Sequence, residues 1–155
     1  MTRFATPDDN GFFNLRTPLL QSGITTDTRC KTEVLSIVVK VYADGGENEM
    51  HAHVGEDHAF VVLSGQATFH VGSDDNERVV NKYEGVMLPS GTEYWFQSTG
   101  PNLVMLRVSA RRPDLAKAGG GYKDYSFMPE WIPLEGLYFP DDVEGALKPQ
   151  PVASS

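Results

Sequence analysis

Three of the four histidines in this chain lie close together, at the spacing of metal ligands. They are His51, His53 and His58. In an extended segment His51 and His53 point to the same face, so both imidazoles can reach one ion. A turn over residues 54–57 then lets His58 open the next strand and return beside the first pair. Three neutral ring nitrogens hold one side of a divalent ion and leave other positions for water or substrate.

The segments that position these histidines read as short β-strands. Residues 34–42 are rich in β-branched side chains that repeat with a period of two. Six similar runs follow, separated by turns rich in Gly, Pro, Asp and Asn. These runs are His58–Leu63, Ala67–Val71, Arg78–Lys82, Val86–Leu88, Tyr94–Gln97 and Leu103–Ser109. The pattern predicts an all-β antiparallel sandwich or barrel, and helical periodicity is confined to residues 114–118 and 142–147.

The residues around the histidines follow a known motif: Gly, five residues, His, one, His, three or four, Glu, six, Gly. In this chain the motif reads Gly45, His51, His53, then His58 where the glutamate is expected, and Gly65. The chain therefore resembles the cupin superfamily in the first of its two motifs.

The second cupin motif is degraded. It ends Pro, one residue, Gly, two residues, His, and here it reads Pro89, Gly91 and Tyr94. Its opening glycine falls at Tyr83, although Gly85 is able to make the same turn. A tyrosine thus stands where a metal-binding histidine is expected, and the resemblance as a whole covers about residues 35–109.

The resemblance implies a cupin-type double-stranded antiparallel β-barrel, or jelly roll, that is commonly dimeric and holds its ion near one end. We expect residues 1–155 to form a single cupin domain with a barrel core over about 34–110. The aromatic and proline-rich extension over 111–155 is too apolar for a free linker, so it packs on the barrel, covers its mouth or meets a partner subunit. A homodimer is the expected assembly.

A site of three histidines without a carboxylate resembles the three-His iron dioxygenases of the superfamily. The leading interpretation is an Fe(II)-dependent dioxygenase, an oxidoreductase with one divalent ion per chain, and Mn, Ni, Co, Cu or Zn are alternatives. Neutral ligands favour a small, anionic, chelating organic substrate. Two other interpretations stay open: a redox-neutral lyase, isomerase or cyclase, and a noncatalytic module that binds a small molecule.

Tyr94 is the candidate catalytic residue. It is expected to act as a fourth ligand, as a hydrogen-bond donor to a metal-bound oxygen, or as a general acid or base. Strand alternation places Phe96 on the face of Tyr94, and Phe60 and Val62 on the face of His58. We expect Phe60, Val62 and Phe96 to form an apolar wall around a substrate pocket.

Nearby acidic residues are secondary candidates. Glu49 precedes His51 by two residues and is able to complete the coordination sphere. Glu56 and Asp57 fall in the expected turn between ligands, where we expect solvated charges or partners that orient an imidazole.

Two other polar residues are expected to lie away from the site. His70 is interpreted as a partly exposed strand residue. Arg107 would anchor a carboxylate if it faced inward, but Leu106 and Val108 alternate against it, which favours an outward position.

Composition excludes several classes of function. Thirteen Lys and Arg against twenty-one Asp and Glu give a net charge of −8, which opposes binding to nucleic acid or an anionic membrane. The single cysteine, Cys30, cannot form an intrachain disulfide. The first residues lack the apolar run of a signal peptide, and the longest apolar run, Ala59–Leu63, is far too short to span a bilayer. We therefore expect a soluble cytoplasmic protein.

Overall fold

The computed structural model describes residues 11–112 and 132–133, and all regular structure in these ranges is β-strand. The strands are β1 Leu20–Ser22, β2 Ile24–Lys31, β3 Leu35–Tyr42, β4 Gly46–His51, β5 Glu56–Ser64, β6 Ala67–Val71, β7 Glu77–Val80, β8 Gly85–Leu88, β9 Tyr94–Ser98, β10 Leu103–Arg111 and β11 Ile132–Pro133. No helix in the described ranges is long and apolar enough to cross a membrane. The helical stretches predicted at 114–118 and 142–147 lie outside these ranges.

Two larger sheets carry the fold. One has the strand order β2-β3-β10-β5-β8 and the other β4-β9-β6-β7, and a small third sheet pairs β1 with β11. The pairings are antiparallel. The two larger sheets face each other as a jelly roll, which confirms the predicted fold class. We call the space between them the interior.

An apolar core fills most of the interior and draws on both sheets. Its members are Tyr42, Phe60, Val62, Ala67, Phe69, Val80, Leu88, Tyr94, Phe96, Leu103 and Met105. Strand β5 shows how the sequence builds this core, because burial alternates residue by residue along it. Phe60, Phe69 and Phe96 meet with ring centroids 5.0–5.7 Å apart, and burial of each ring contributes about 2 kcal/mol.

A second apolar cluster covers the outer face of the five-stranded sheet. It includes Leu19 and Leu20 from the N-terminal segment, packed on Val39, Val41 and Val104. The five-stranded sheet is therefore apolar on both faces, so apolar residues in β10 do not by themselves mark its inner face.

Strand β2 lies upstream of the strands predicted from sequence, which began at residue 34. The sequence did not predict this strand because the outer face of β2 carries charged residues instead of apolar ones. Arg29 and Asp27 are both buried there, 3.3 Å apart, and Arg29 also donates to the backbone carbonyl of Arg16. The pair is compensated, which is the condition under which buried charges are tolerated.

The turn before β8 differs from the expectation. Tyr83 itself adopts the left-handed conformation, with φ of 67°, so Gly85 does not make that turn. Gly85 instead lies in β8, where a Cβ would come 2.4 Å from the carbonyl oxygen of Phe60. Its lack of a side chain thus permits the close approach of β8 to β5.

Candidate metal centre

The three histidines predicted as ligands lie together at one end of the interior. His51 is the last residue of β4, His58 lies near the start of β5, and His53 is in the connection between these strands. The ring centroids of His51 and His53 are 5.1 Å apart, and those of His53 and His58 are 4.4 Å apart. Since β4 and β5 belong to different sheets, this connection carries the imidazoles across the mouth of the interior.

His51 is held by its own strand. Its Nδ1 lies 2.9 Å from the backbone carbonyl oxygen of Glu49. A proton on Nδ1 makes this a hydrogen bond and leaves the lone pair on Nε2, the tautomer that ligates a metal through Nε2. The Glu49 side chain is exposed, so Glu49 acts on the cluster through its backbone.

Glu56 adds a carboxylate to the cluster. Its Oε2 lies 3.0 Å from Nε2 of His58, and its Oε1 lies 3.5 Å from Nε of Arg111. One ligand atom from each of His53, Glu56 and His58 lies within 4.8 Å of the others. Neighbouring ligands that bind one ion at about 2.1 Å are themselves about 3 Å apart. The contact between Glu56 and His58 is a hydrogen bond when Nε2 carries the proton, and its length is also the separation of two ligands on one ion once that proton has moved.

Sequence reasoning missed this role of Glu56. The residue was assigned to a turn, but β5 begins at Glu56 rather than at His58. Alternation along β5 then places Glu56 on the same face as His58 and Phe60. Asp57 points the other way, and its Oδ1 accepts a hydrogen bond of 2.7 Å from the backbone N–H of Ser90.

The environment keeps His58 neutral and Glu56 ionised near neutral pH. Burial lowers the pKa of His58, the hydrogen bond with Glu56 opposes this, and the charges of Arg107 and Lys40 lower it further. The hydrogen bond with His58 lowers the pKa of Glu56. At neutral pH the cluster therefore offers a neutral imidazole beside an ionised carboxylate.

Tyr94 points into the cluster. It pairs with His51 across β4 and β9, is 2 % exposed, and its ring centroid lies 4.5 Å from that of His51. Its hydroxyl oxygen lies 3.5 Å from Nδ1 of His58. The tyrosine therefore faces two of the histidines and brings a proton-carrying group to the site.

The three residues predicted as pocket walls lie at different depths. The ring of Phe60 has its centroid 6.0 Å from that of His58 and 5.8 Å from that of Tyr94, so it forms the floor of the cluster. Phe96 packs against Phe60, and Val62 lies two residues farther along β5. Both are fully buried and belong to the core beneath that floor.

The expected outward position of Arg107 is wrong. The residue is 8 % exposed and lies on the same face of β10 as Met105, which belongs to the interior core. The prediction assumed that Leu106 and Val108, which alternate with Arg107, face the interior. They face the other side of the sheet, which is also apolar. Lys40, from the neighbouring strand β3, is also buried in the interior, with its Nζ 5.5 Å from the ring centroids of Tyr42 and Phe96.

The expected partial exposure of His70 is also wrong. Its ring stacks on that of Trp95, with centroids 3.9 Å apart, and only 5 % of the residue is exposed. Because Phe69 faces the interior, His70 lies on the outer face of the four-stranded sheet. It is separate from the metal-type cluster.

Comparison with known proteins agrees with this architecture. Residues 38–108 match a family model described as a cupin domain, and no curated protein sequence matches the chain. The chain is similar to the Cnp3 cupin domain of Schizosaccharomyces pombe, with 18 % identity and a TM-score of 0.56 over 67 % of this chain and 77 % of that one.

Two further solved structures give the same result. KdgF from Halomonas sp. is 22 % identical, with a TM-score of 0.52 over 59 % of this chain and 83 % of that one. An uncharacterized conserved protein with a double-stranded beta-helix domain from Klebsiella pneumoniae is 19 % identical, with a TM-score of 0.53 over 60 % of this chain and 76 % of that one. At such identities the likeness concerns the fold.

Proposed function

Because residues 38–108 of this chain match the cupin domain, we propose that the protein is a metal-dependent enzyme that oxidises a small organic molecule with dioxygen. The observation that carries the proposal is the convergence of His53, Glu56 and His58 ligand atoms within 4.8 Å. Two histidines and one carboxylate with open positions beside them are the ligand set typical of non-heme Fe(II) oxygenases. His51 supplies a further imidazole at the rim of this set.

The donor set fits a divalent ion better than the sequence alone suggested. Three neutral histidines would leave the full charge of the ion on the substrate, whereas Glu56 neutralises part of it. When bound, an Fe(II) ion would polarise the oxygens of a chelating substrate and activate dioxygen. The other tasks fall to side chains of this chain.

Those tasks are to hold a proton and to exclude water. The hydroxyl of Tyr94, 3.5 Å from Nδ1 of His58, donates to or accepts from a substrate oxygen placed at the cluster. Phe60 closes the cluster from below, so a substrate meets an apolar floor there.

A second candidate uses the same residues without oxygen. The proximity of Tyr94 to His58 favours acid–base chemistry, in which the ion polarises a carbonyl and the tyrosine moves a proton. Such a lyase, isomerase or cyclase would work with Zn, Mn, Ni or Co. Oxygen consumption separates the two candidates.

The first test is metal content. We expect purified full-length protein, loaded with Fe(II) without air, to bind about one ion per chain. His58→Ala should lose most of this iron, and Glu56→Gln should weaken its binding 10–100-fold. His70→Gln is the matched control, because it removes a buried histidine on the outer face of the same fold, and it should keep its iron.

The second test is turnover of the loaded protein with enolic, thiol and hydroxy acids, followed by an oxygen electrode and product analysis. Oxygen uptake that depends on substrate and on His58 supports the dioxygenase. Turnover without oxygen uptake replaces it with the second candidate, and iron binding without turnover indicates a binding module. Failure of every metal to bind overturns the metal centre.

A further inference from the structure

A cleft of about 490 Å³ opens at the same end of the interior as the metal centre. Its walls include Lys31, Ser36, Glu56, Arg107 and Arg111. Glu56 belongs to both sites, since it lines the cleft and contacts His58. Alternation along β10 places Arg107 and Arg111 on the interior face with Met105. The cleft and the metal centre therefore adjoin each other through Glu56.

Arg107 lines this cleft with a hydrogen-bonding group unused. More than nine tenths of the residue is buried, and its Nε has no hydrogen-bond partner within residues 11–112 and 132–133. Its charge helps to lower the pKa of Glu56, but that carboxylate is already engaged by His58 and Arg111. A buried guanidinium N–H without a hydrogen-bond partner is costly, so this position needs an explanation.

Ser109 repeats the pattern two residues farther along β10. It is 2 % exposed, and its Oγ also lacks a hydrogen-bond partner in the described part of the chain. The register of β10 with β5 sets Ser109 directly opposite His58, and Arg107 opposite Phe60. Two unsatisfied polar groups thus lie on one strand face, beside the metal centre.

We propose that Arg107 and Ser109 bind the carboxylate group of a small organic acid whose other end reaches the metal centre. The planar fork of a guanidinium matches a carboxylate with two parallel hydrogen bonds, and a serine hydroxyl supplies a third donor. The charge of Lys40 on the next strand adds positive potential in the interior. A singly charged, planar anion suits this set of donors.

This inference deepens the proposed function and rests on it for the fate of the bound acid. Binding of the carboxylate itself does not require the ion. It is therefore tested on full-length protein freed of metal, where failure of the metal centre and failure of the carboxylate site are separable.

The direct test is calorimetric titration with pyruvate, lactate and benzoate, each compared with its methyl ester. At least one acid should bind at least tenfold more tightly than its ester. Arg107→Gln should weaken that binding at least tenfold, Arg107→Lys less, and Ser109→Ala about two- to fivefold. Arg78→Gln, on exposed strand β7, is the control and should bind like the unmodified protein.

Equal affinity for acid and ester, an unaffected Arg107→Gln variant, or absence of binding by all three acids would overturn the inference. His58→Ala should keep carboxylate binding although it loses iron. If His58→Ala and the unmodified protein both bind carboxylate but neither binds metal, only the proposed enzymatic function is lost.

A second measurement needs no ligand. A buried arginine whose Nε has no hydrogen-bond partner in the described part of the chain makes the fold less stable than an apolar side chain of similar size. Arg107→Met should therefore raise the melting temperature by about 2–4 °C. Arg29→Met, which removes a guanidinium paired with Asp27, should lower it, and a lower melting temperature for Arg107→Met would assign Arg107 a structural role.

Discussion

The two ends of the interior are built by the same strands and differ in chemistry. Strand β5 runs from Glu56 and His58 at the open end to Phe60 and Val62 in the core. Strand β10 runs the opposite way, from Leu103 and Met105 in the core past Arg107, which lies opposite Phe60, to Ser109, which lies opposite His58. We call these the polar end and the apolar end. Along β5, the side chains that face the interior change from polar to apolar between His58 and Phe60, which are two residues apart.

The comparison separates what holds the fold from what serves the site. At the apolar end, each buried side chain meets another in the core, as in the contacts of Phe60 with Phe69 and Phe96. At the polar end, Arg107 and Ser109 are buried with polar atoms unsatisfied among the described residues. Burial contributes to stability at one end, whereas at the other it prepares groups for a ligand.

The largest effect expected from this comparison is at the apolar end. Phe60→Ala should lower the free energy of unfolding by about 3–5 kcal/mol, because it leaves a cavity among three aromatic rings. Urea unfolding of the metal-free protein measures this loss, and Phe60→Leu, which keeps most of the volume, is the control. If Phe60→Ala lowered the free energy of unfolding no more than Arg107→Met does, the distinction between the two ends would be wrong.

A smaller effect should follow acidification. The pKa of His58 lies below its ordinary value of 6.5, and that of Glu56 below its ordinary value of 4.5. The unfolded chain therefore takes up protons that the folded chain does not. The stability due to His58 is complete above pH 6.5 and declines as the pH falls toward its folded pKa, and the Glu56 contribution declines at lower pH.

The variant His58→Ala isolates the contribution of His58 to the pH dependence of stability. The groups facing His58 include Glu56, Arg107 and Lys40, and the variant retains all of them. Urea unfolding at pH 7.5, 6.5 and 5.5 should show that metal-free protein loses more stability on acidification than His58→Ala does. A steeper loss in the variant would contradict the assignment.

The smallest change in stability is expected for Tyr94→Phe. The hydroxyl contact with His58 is long, at 3.5 Å, so its loss should cost less than about 1 kcal/mol. Bound iron should remain within about twofold, since we assign Tyr94 to proton handling, while kcat should fall at least tenfold. Loss of the iron together with the hydroxyl would make Tyr94 a ligand instead.

What could be predicted from the sequence was local. The strand Ala67–Val71 has the predicted bounds, and the clustering of His51, His53 and His58 is carried by one short segment. The three histidines come together because side chains alternate along a strand and because one turn separates His53 from His58. Both features can be inferred from the spacing of the histidines in the sequence.

What could not be predicted depends on partners far away in the chain. Arg107 faces inward because a second apolar cluster occupies the other face of its sheet, so apolar neighbours do not mark the inner face. His70 is buried because Trp95, on a neighbouring strand, stacks on it. The inward position of Glu56 could have been predicted from the sequence. His58 and Phe60 alternate along β5, and one further step toward the N-terminus is Glu56.

The compactness of the histidine segment also affects the denatured protein. His51, His53, Glu56 and His58 are separated by so few bonds that the unfolded chain keeps them as a flexible chelator. An ion that binds both states shifts the folding equilibrium only by the ratio of its two affinities. Iron should thus raise the melting temperature less than its affinity for the native protein suggests.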